Sequence, residues 1–195
     1  LRDTDGDIFH IYNAHKIELF EFETENLVFN SFWVGTSAMS NDVINLPGSG
    51  NDIVLGGGGN DTIFGNAGND VLRGDDGDDH LHGGNGNDIL VGGNGDDRLY
   101  GGSGRDRLDG NNASDVLTGG SDADVFVFHT QWDTGNDIIT DFELGVDELE
   151  MRGLTFVELD FENTGSGSRV NWTNGSVELE GISISYLTED QFTFI

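Results

Sequence analysis

Nine aspartates recur at intervals of nine residues: Asp52, Asp61, Asp70, Asp79, Asp88, Asp97, Asp106, Asp115 and Asp124. Glycine-rich stretches precede them, and two residues after each stands a large apolar residue: Val54, Ile63, Leu72, Leu81, Leu90, Leu99, Leu108, Leu117 and Phe126. A carboxylate is a hard oxygen donor, and glycine lets backbone carbonyls turn toward an ion with no side chain in the way. The chemistry this spacing suits is a hard cation held by one carboxylate per turn plus main-chain oxygens. Calcium wants six to eight oxygens at about 2.3–2.6 Å and tolerates irregular geometry. Zinc prefers His or Cys; the chain has no cysteine, and only His80 and His82 fall within the repeats. Magnesium sheds its water reluctantly for a carbonyl cage. Calcium is the expected ion.

The whole composition agrees with a cation binder. The 195 residues hold 37 acidic and 8 basic side chains, a formal net charge of −29, with 31 glycines and one proline. A surface this negative repels phosphate backbones and anionic lipids, so nucleic acid and membrane surfaces are disfavoured partners. No apolar run approaches the roughly 18 residues of a membrane span. Without cysteine, neither a disulfide framework nor a thiolate metal site is possible. Residue 1 is Leu and no basic-then-apolar leader follows, so the chain reads as a fragment of something longer.

The elements that position the aspartates follow from the register. From Pro47 to Val127 the block holds 22 of the glycines, 15 aspartates and four arginines, with no glutamate. All 12 glutamates lie outside it. Asp suits turns, because its short carboxylate reaches its own backbone, whereas Glu suits strand faces. Three parts result: a β-rich segment 1–46, a repeat block 47–127, and a β-rich segment 128–195. The clearest unit is Gly83-Gly84-Asn85-Gly86-Asn87-Asp88-Ile89-Leu90-Val91. Position one is Gly in all but the opening unit, and position four is Gly through Gly104. Position eight is apolar in every unit, the one position in nine that reads consistently as core. One reliably buried side chain in nine is a thin core, so without cations the block should fail to recover its chain entropy. Metal binding is then folding energy.

These units resemble G-G-x-G-x-D-x-U-x, the calcium-binding nonapeptide of RTX (repeats-in-toxin) proteins. The resemblance runs from Pro47 to Val127. It implies an all-β parallel β-roll, in which the first six positions of a unit make a turn, the last three a short strand, and two units complete one coil. Each ion would lie between unit n and unit n+2, which gives seven pairings among nine units. The ligands would be the sixth-position aspartates and the turn residues at positions two and four. Position two holds Gly48, Gly57, Asn66, Asp75, Gly84, Gly93, Gly102, Asn111 and Gly120. Position four holds Gly50, Gly59, Gly68, Gly77, Gly86, Gly95 and Gly104, then Ala113 and Asp122. The last two weaken their pairings, unless Asp122 itself becomes a ligand, so about five to seven ions are expected. By resemblance, further acidic ligands beyond the last repeat fall on Asp133 and Asp137. Asp88→Ala should weaken calcium binding far more than Asp109→Ala, whose carboxylate is expected at an outward ninth position.

The flanks read as caps. Arg169-Val170-Asn171-Trp172 and Val177-Glu178-Leu179-Glu180 alternate around Thr173-Asn174-Gly175-Ser176, a strong hairpin signal. A solenoid needs such a cover for its last coil. The end, residues 187–195, resembles the acidic-then-apolar tails read by type I secretion systems. Val34 to Ile44 resembles a degenerate tenth unit, and residues 17–29 interleave Glu with Leu and Phe as edge strands do. Asp3-Thr4-Asp5-Gly6-Asp7 is a plain acidic turn rather than an EF-hand, because Ile8 and Ala14 stand where that loop needs glycine and glutamate.

No catalytic constellation is legible. The five histidines never form H-E-x-x-H, and neither G-x-S-x-G nor a phosphate loop occurs. Trp33, Trp132 and Trp172 suit the core of a cap better than a sugar platform. The expected function is a calcium-binding module that folds outside the cell and supports type I secretion and stability of a larger secreted protein. Its expected partners are calcium, an upstream domain and the secretion machinery. The alternative is a calcium-dependent polysaccharide- or surface-binding module, resting on the cap or on Arg73, Arg98, Arg105 and Arg107.

Overall fold

In the computed structural model, the described residues are 40–46, 48–131 and 133–195, together with the backbone of 32–34. The readings of residues 3–7 and 17–29, of Val34 to Ala38, and of the Trp33 and Trp132 side chains lie outside them.

Successive units alternate between two parallel sheets. β1 (Phe32–Val34), β3 (Ile53–Gly58), β5 (Val71–Asp76), β7 (Ile89–Asn94), β9 (Arg107–Asn112) and β11 (Val125–His129) follow one another in the first. β2 (Val43–Asn45), β4 (Thr62–Ala67), β6 (His80–Asn85), β8 (Arg98–Ser103) and β10 (Val116–Ser121) follow one another in the second. Leu72 pairs with Leu90 and Leu81 with Leu99, so each unit lies in register on the unit two further along. All nine position-eight residues are fully buried between the sheets. The chain is an all-β parallel β-roll.

One expectation needs correction. The strands are six residues long rather than three, because pairing across coils resumes after position one: Gly57 pairs with Asp75 and Gly58 with Asp76. Positions two and three therefore belong to the strand arm that rounds the edge, and only positions four to six are turn.

Beyond residue 127 the sheets continue. β12 (Asn136–Ile139) and β16 (Ser176–Glu180) extend the second sheet in parallel, and β13 (Glu148–Arg152) and β17 (Phe192–Phe194) extend the first. β14 (Asp160–Asn163) and β15 (Gly167–Asn171) add antiparallel strands outside β16, with Val170 opposite Val177 in the anticipated hairpin. The core widens here: Trp172 is 7% exposed and its ring lies 5.7 Å from that of Phe128. Among the described residues no helix is long and apolar enough to cross a membrane.

Candidate metal centre

From Asp61 to Asp124, each repeat aspartate closes its turn with one oxygen fixed by the neighbouring coil. On one edge Oδ1 of Asp70 accepts the Asp52 backbone N–H at 2.7 Å, and Asp88, Asp106 and Asp124 accept from Asp70, Asp88 and Asp106 at 2.8–2.9 Å. On the other edge Asp61, Asp79, Asp97 and Asp115 accept from Asp42, Asp61, Asp79 and Asp97 at 2.7–2.8 Å. These bonds aim the second oxygen. In Asp61, Asp70, Asp79, Asp88, Asp97, Asp106 and Asp115 that oxygen, Oδ2, is buried without a hydrogen-bond partner.

The space it faces is kept open by glycine at position one. A Cβ on Gly56 would lie 2.5 Å from Asp61 Oδ2 and 2.7 Å from the Gly74 carbonyl of the next coil. The same cradle recurs at Gly65, Gly74, Gly83, Gly92 and Gly101, with the cross-coil carbonyl at 2.6–2.8 Å. Here φ is unremarkable, and the requirement is room for oxygens. Position one was not among the ligand residues anticipated above, although its near-invariance within the repeats was the available signal.

At positions two and four the constraint is backbone conformation. Gly86 adopts φ +129° and packs its Cα against the Gly68 carbonyl, as the fourth positions of successive coils do in turn. Where glycine is missing the left-handed conformation persists: Asn66 at 73°, Asp75 at 75°, Asn111 at 68°, Ala113 at 81° and Asp122 at 80°. Such a conformation costs an L-residue roughly 1–2 kcal/mol, which Ala113 bears with no side-chain hydrogen bond to offset it.

Burial sets the electrostatics. It pushes the carboxyl of Asp97 up to about 8, those of Asp106, Asp115 and Asp124 to about 7, and those of Asp70 and Asp79 to about 6. Carboxylates of adjacent coils add to the rise in each of these, and the backbone N–H donor opposes it. A buried, unpaired anionic oxygen is costly unless a cation faces it. Among the described residues no three His, Cys, Asp or Glu side chains form a metal-sized cluster. Any ion here therefore relies heavily on main-chain carbonyls, a donor set of hard oxygens alone that suits calcium.

The ladder outruns the repeats. Gly135 packs against the Ala113 carbonyl, the Asn136 N–H donates to Ser114 Oγ at 3.1 Å, and Asp137 Oδ1 accepts from Asp115 at 2.9 Å. Residues 135–139 thus reproduce positions four to eight, at a spacing of 22 from unit eight where the repeats keep 18. Asp133 stands outside this register; it is buried in the enlarged turn, and its Oδ1 accepts the Gly135 N–H at 3.2 Å. Burial, then the Asp133 carboxylate, pushes Asp137 up to about 9. Asp42 and Asp147 also join: Asp147 Oδ1 accepts from Asp124 at 3.0 Å and its Oδ2 from the Glu143 N–H at 2.8 Å. The readable signals were Asp42-Val43-Ile44 and Asp147-Glu148-Leu149, aspartate two residues before an apolar one.

Asp109 departs from expectation. Its side chain is 15% exposed, and Oδ2 lies 3.0 Å from His129 Nε2. His129, the last residue of β11, lies against it, so Asp109→Ala would disturb the roll's exit and is no neutral control. Arg107 is likewise engaged, donating twice to Glu150 at 2.7 and 2.8 Å.

The cradle makes a direct prediction. Gly101→Ala should raise the calcium midpoint for folding several-fold, because the methyl would meet Asp106 Oδ2 and the Gly119 carbonyl. Gly165→Ala, with nothing within 4 Å, should leave it unchanged. Calcium titrations followed by circular dichroism compare the two.

The sequence model of the RTX calcium-binding nonapeptide repeat matches four times, over residues 47–81, 64–99, 73–108 and 91–126. No curated protein matches the chain. Among solved structures, the extracellular lipase LipA from Serratia marcescens is 20% identical with a TM-score of 0.41, over 77% of this chain and 41% of the lipase. The AlgE6R3 subunit of the Azotobacter vinelandii mannuronan C5-epimerase is 23% identical with a TM-score of 0.34, over 80% of each chain. The chain spans less than half the length of the lipase. Residues 47–126, with aspartates laddered along both edges and glycine-lined oxygen cradles between coils, are RTX calcium-binding nonapeptide repeats.

Proposed function

We propose that the chain is the calcium-triggered folding module of a larger secreted protein, ordered outside the cell and supporting that protein's type I secretion and stability. The observation that carries the reading is the set of seven buried Asp oxygens without hydrogen-bond partners, facing cradles that position-one glycines keep open. The ligands are the repeat aspartates and main-chain carbonyls of positions one, two and four; Asp137 continues one edge. Residues 47–127 form the responsive roll, and 128–195 cap it. Catalysis, if the parent protein performs any, belongs to an upstream domain.

Low cytosolic calcium would leave the chain extended enough to export, and extracellular calcium would then fold it. Equilibrium dialysis of the full chain should find five to seven calcium ions bound per chain. One ion or none would overturn the proposal.

A further inference from the structure

Three asparagines are followed directly by glycine: Asn85-Gly86, Asn94-Gly95 and Asn174-Gly175. The first two stand at position three of consecutive repeats, at the ends of β6 and β7. In such a pair the main-chain nitrogen can reach the preceding side-chain amide, because glycine puts no side chain in the path. Ring closure needs that nitrogen at near-attack distance from Cγ. All three asparagines are exposed, so access to water does not distinguish them.

Bonding does. The Gly86 N–H donates to the Ser103 carbonyl at 2.8 Å, and the Asn85 carbonyl accepts the Gly68 N–H at 2.9 Å. The peptide joining Asn85 to Gly86 is thus bracketed by the coil before and the coil after. Asn85 Oδ1 also accepts from Ser103 Oγ at 2.9 Å. One unit on, the Gly95 N–H donates to the Asn112 carbonyl at 3.3 Å, and the Asn94 carbonyl accepts the Gly77 N–H at 2.8 Å. Asn94 Nδ2 donates to Asp76 Oδ1 at 2.7 Å, and its Oδ1 accepts from Asn112 Nδ2 at 2.8 Å. Asn174 lies instead in the hairpin turn between β15 and β16, outside the stack of coils.

We infer that Asn85 and Asn94 are spontaneous deamidation sites of the calcium-free chain, and that the folded roll locks them. With the brackets open, the Gly86 nitrogen gives its proton to solvent hydroxide and bonds to Asn85 Cγ. The Cγ–Nδ2 bond breaks, and the amide leaves as ammonia with a proton from water. Water then opens the succinimide ring. Addition at Cγ restores the backbone with aspartate; addition at the main-chain carbonyl breaks the old peptide bond and leaves isoaspartate. The net change is amide plus water to carboxylate plus ammonium. The roll has room for the first product, since Asp76 already stands exposed at position three. The second lengthens the main chain by one carbon beside Gly86, whose Cα packs against the Gly68 carbonyl. A chain held without calcium therefore loses its capacity to fold as it ages. The inference rests on the calcium-triggered folding proposed above.

The test is peptide mass mapping of the full chain aged at pH 8 in calcium or in chelator, then returned to calcium for circular dichroism. Conversion at Asn85 and Asn94 is expected to be at least tenfold slower in calcium, because the brackets must open before the ring can close. Asn174 should convert at similar rates in both media. Chains carrying isoaspartate at position 85 should not regain the β-signal, whereas the Asn85→Asp variant should show it in full. Calcium-induced folding with equal conversion of Asn85 and Asn94 in both media overturns the inference alone, and equal protection of Asn174 overturns the role of the brackets. Refolding of the isoaspartate chains, or failure of Asn85→Asp to fold, overturns the distinction between the two products. A fresh chain with no calcium-induced β-signal overturns the calcium reading as well.

Discussion

Chelating calcium at pH 7.5 is expected to abolish most of the β-signal of the roll, and lowering the pH toward 4.5 in chelator is expected to restore part of it. The first half follows from the buried carboxylates, whose charged forms face carbonyls and one another. Two unit charges about 4.8 Å apart repel by roughly 3 kcal/mol at an effective dielectric of 20, and each edge stacks a run of them. Each loaded site would contribute about 2.7 kcal/mol when calcium stands 100-fold above its Kd. The second half follows from linkage. The folded carboxyls sit at about 6 to 8 for Asp70, Asp79, Asp97, Asp106, Asp115 and Asp124, against an unfolded value near 3.9. Between about pH 4 and 8 the calcium-free fold therefore binds more protons than the unfolded chain, and its stability falls as pH rises through that window. Protons and calcium compete for the same oxygens, so acid should also release bound ions. A β-signal in excess chelator that is equally strong at pH 7.5 and 4.5 would refute this account.

The second large effect separates charge from hydrogen bonding at a single rung. Asp88→Asn keeps an acceptor for the Asp70 N–H, which Asp88 Oδ1 receives at 2.8 Å. It puts an N–H2 where Oδ2 faced the cradle, which the Gly101 carbonyl also lines and where it is expected to accept from the new amide. Calcium affinity should fall at least tenfold, while structure in chelator should rise, since a buried anion is replaced by a neutral donor with a partner. Asp88→Ala should lose on both counts, because it also strands the Asp70 N–H at a cost of about 1–3 kcal/mol. The exposed Glu180→Gln serves as the neutral control. The opposite responses of Asn and Ala in chelator are the diagnostic; if both variants lose structure there equally, the unpaired oxygen is not the strained element.

Much of this was readable in the chain because the repeat is a local rule. Nine-residue spacing fixed which side chains are buried, and all nine position-eight residues obey it. What escaped notice depends on contacts between coils. The reason for Gly56 or Gly83 lies a full coil away in a carbonyl, and no local conformational argument reaches it. Strand length was underestimated because pairing through positions two and three is a property of adjacent coils. Asp109 looked outward by register, and His129 at the end of β11 lies against it. Asp147 was hidden by irregular spacing, since 23 residues separate it from Asp124, yet its carboxylate finishes that edge with both oxygens bonded to backbone.

The alternation of units between two sheets imposes a parity on the chain. Removing two units from the block would shorten the roll by one coil and return every later strand to its own sheet. Removing a single unit would send each later strand to the opposite sheet, so that β11 and β13 would have to grow where β10 and β12 now stand. Units of this repeat are consequently exchangeable in pairs, whereas the extra residues at the exit are absorbed harmlessly, because they enlarge a turn and leave the alternation intact.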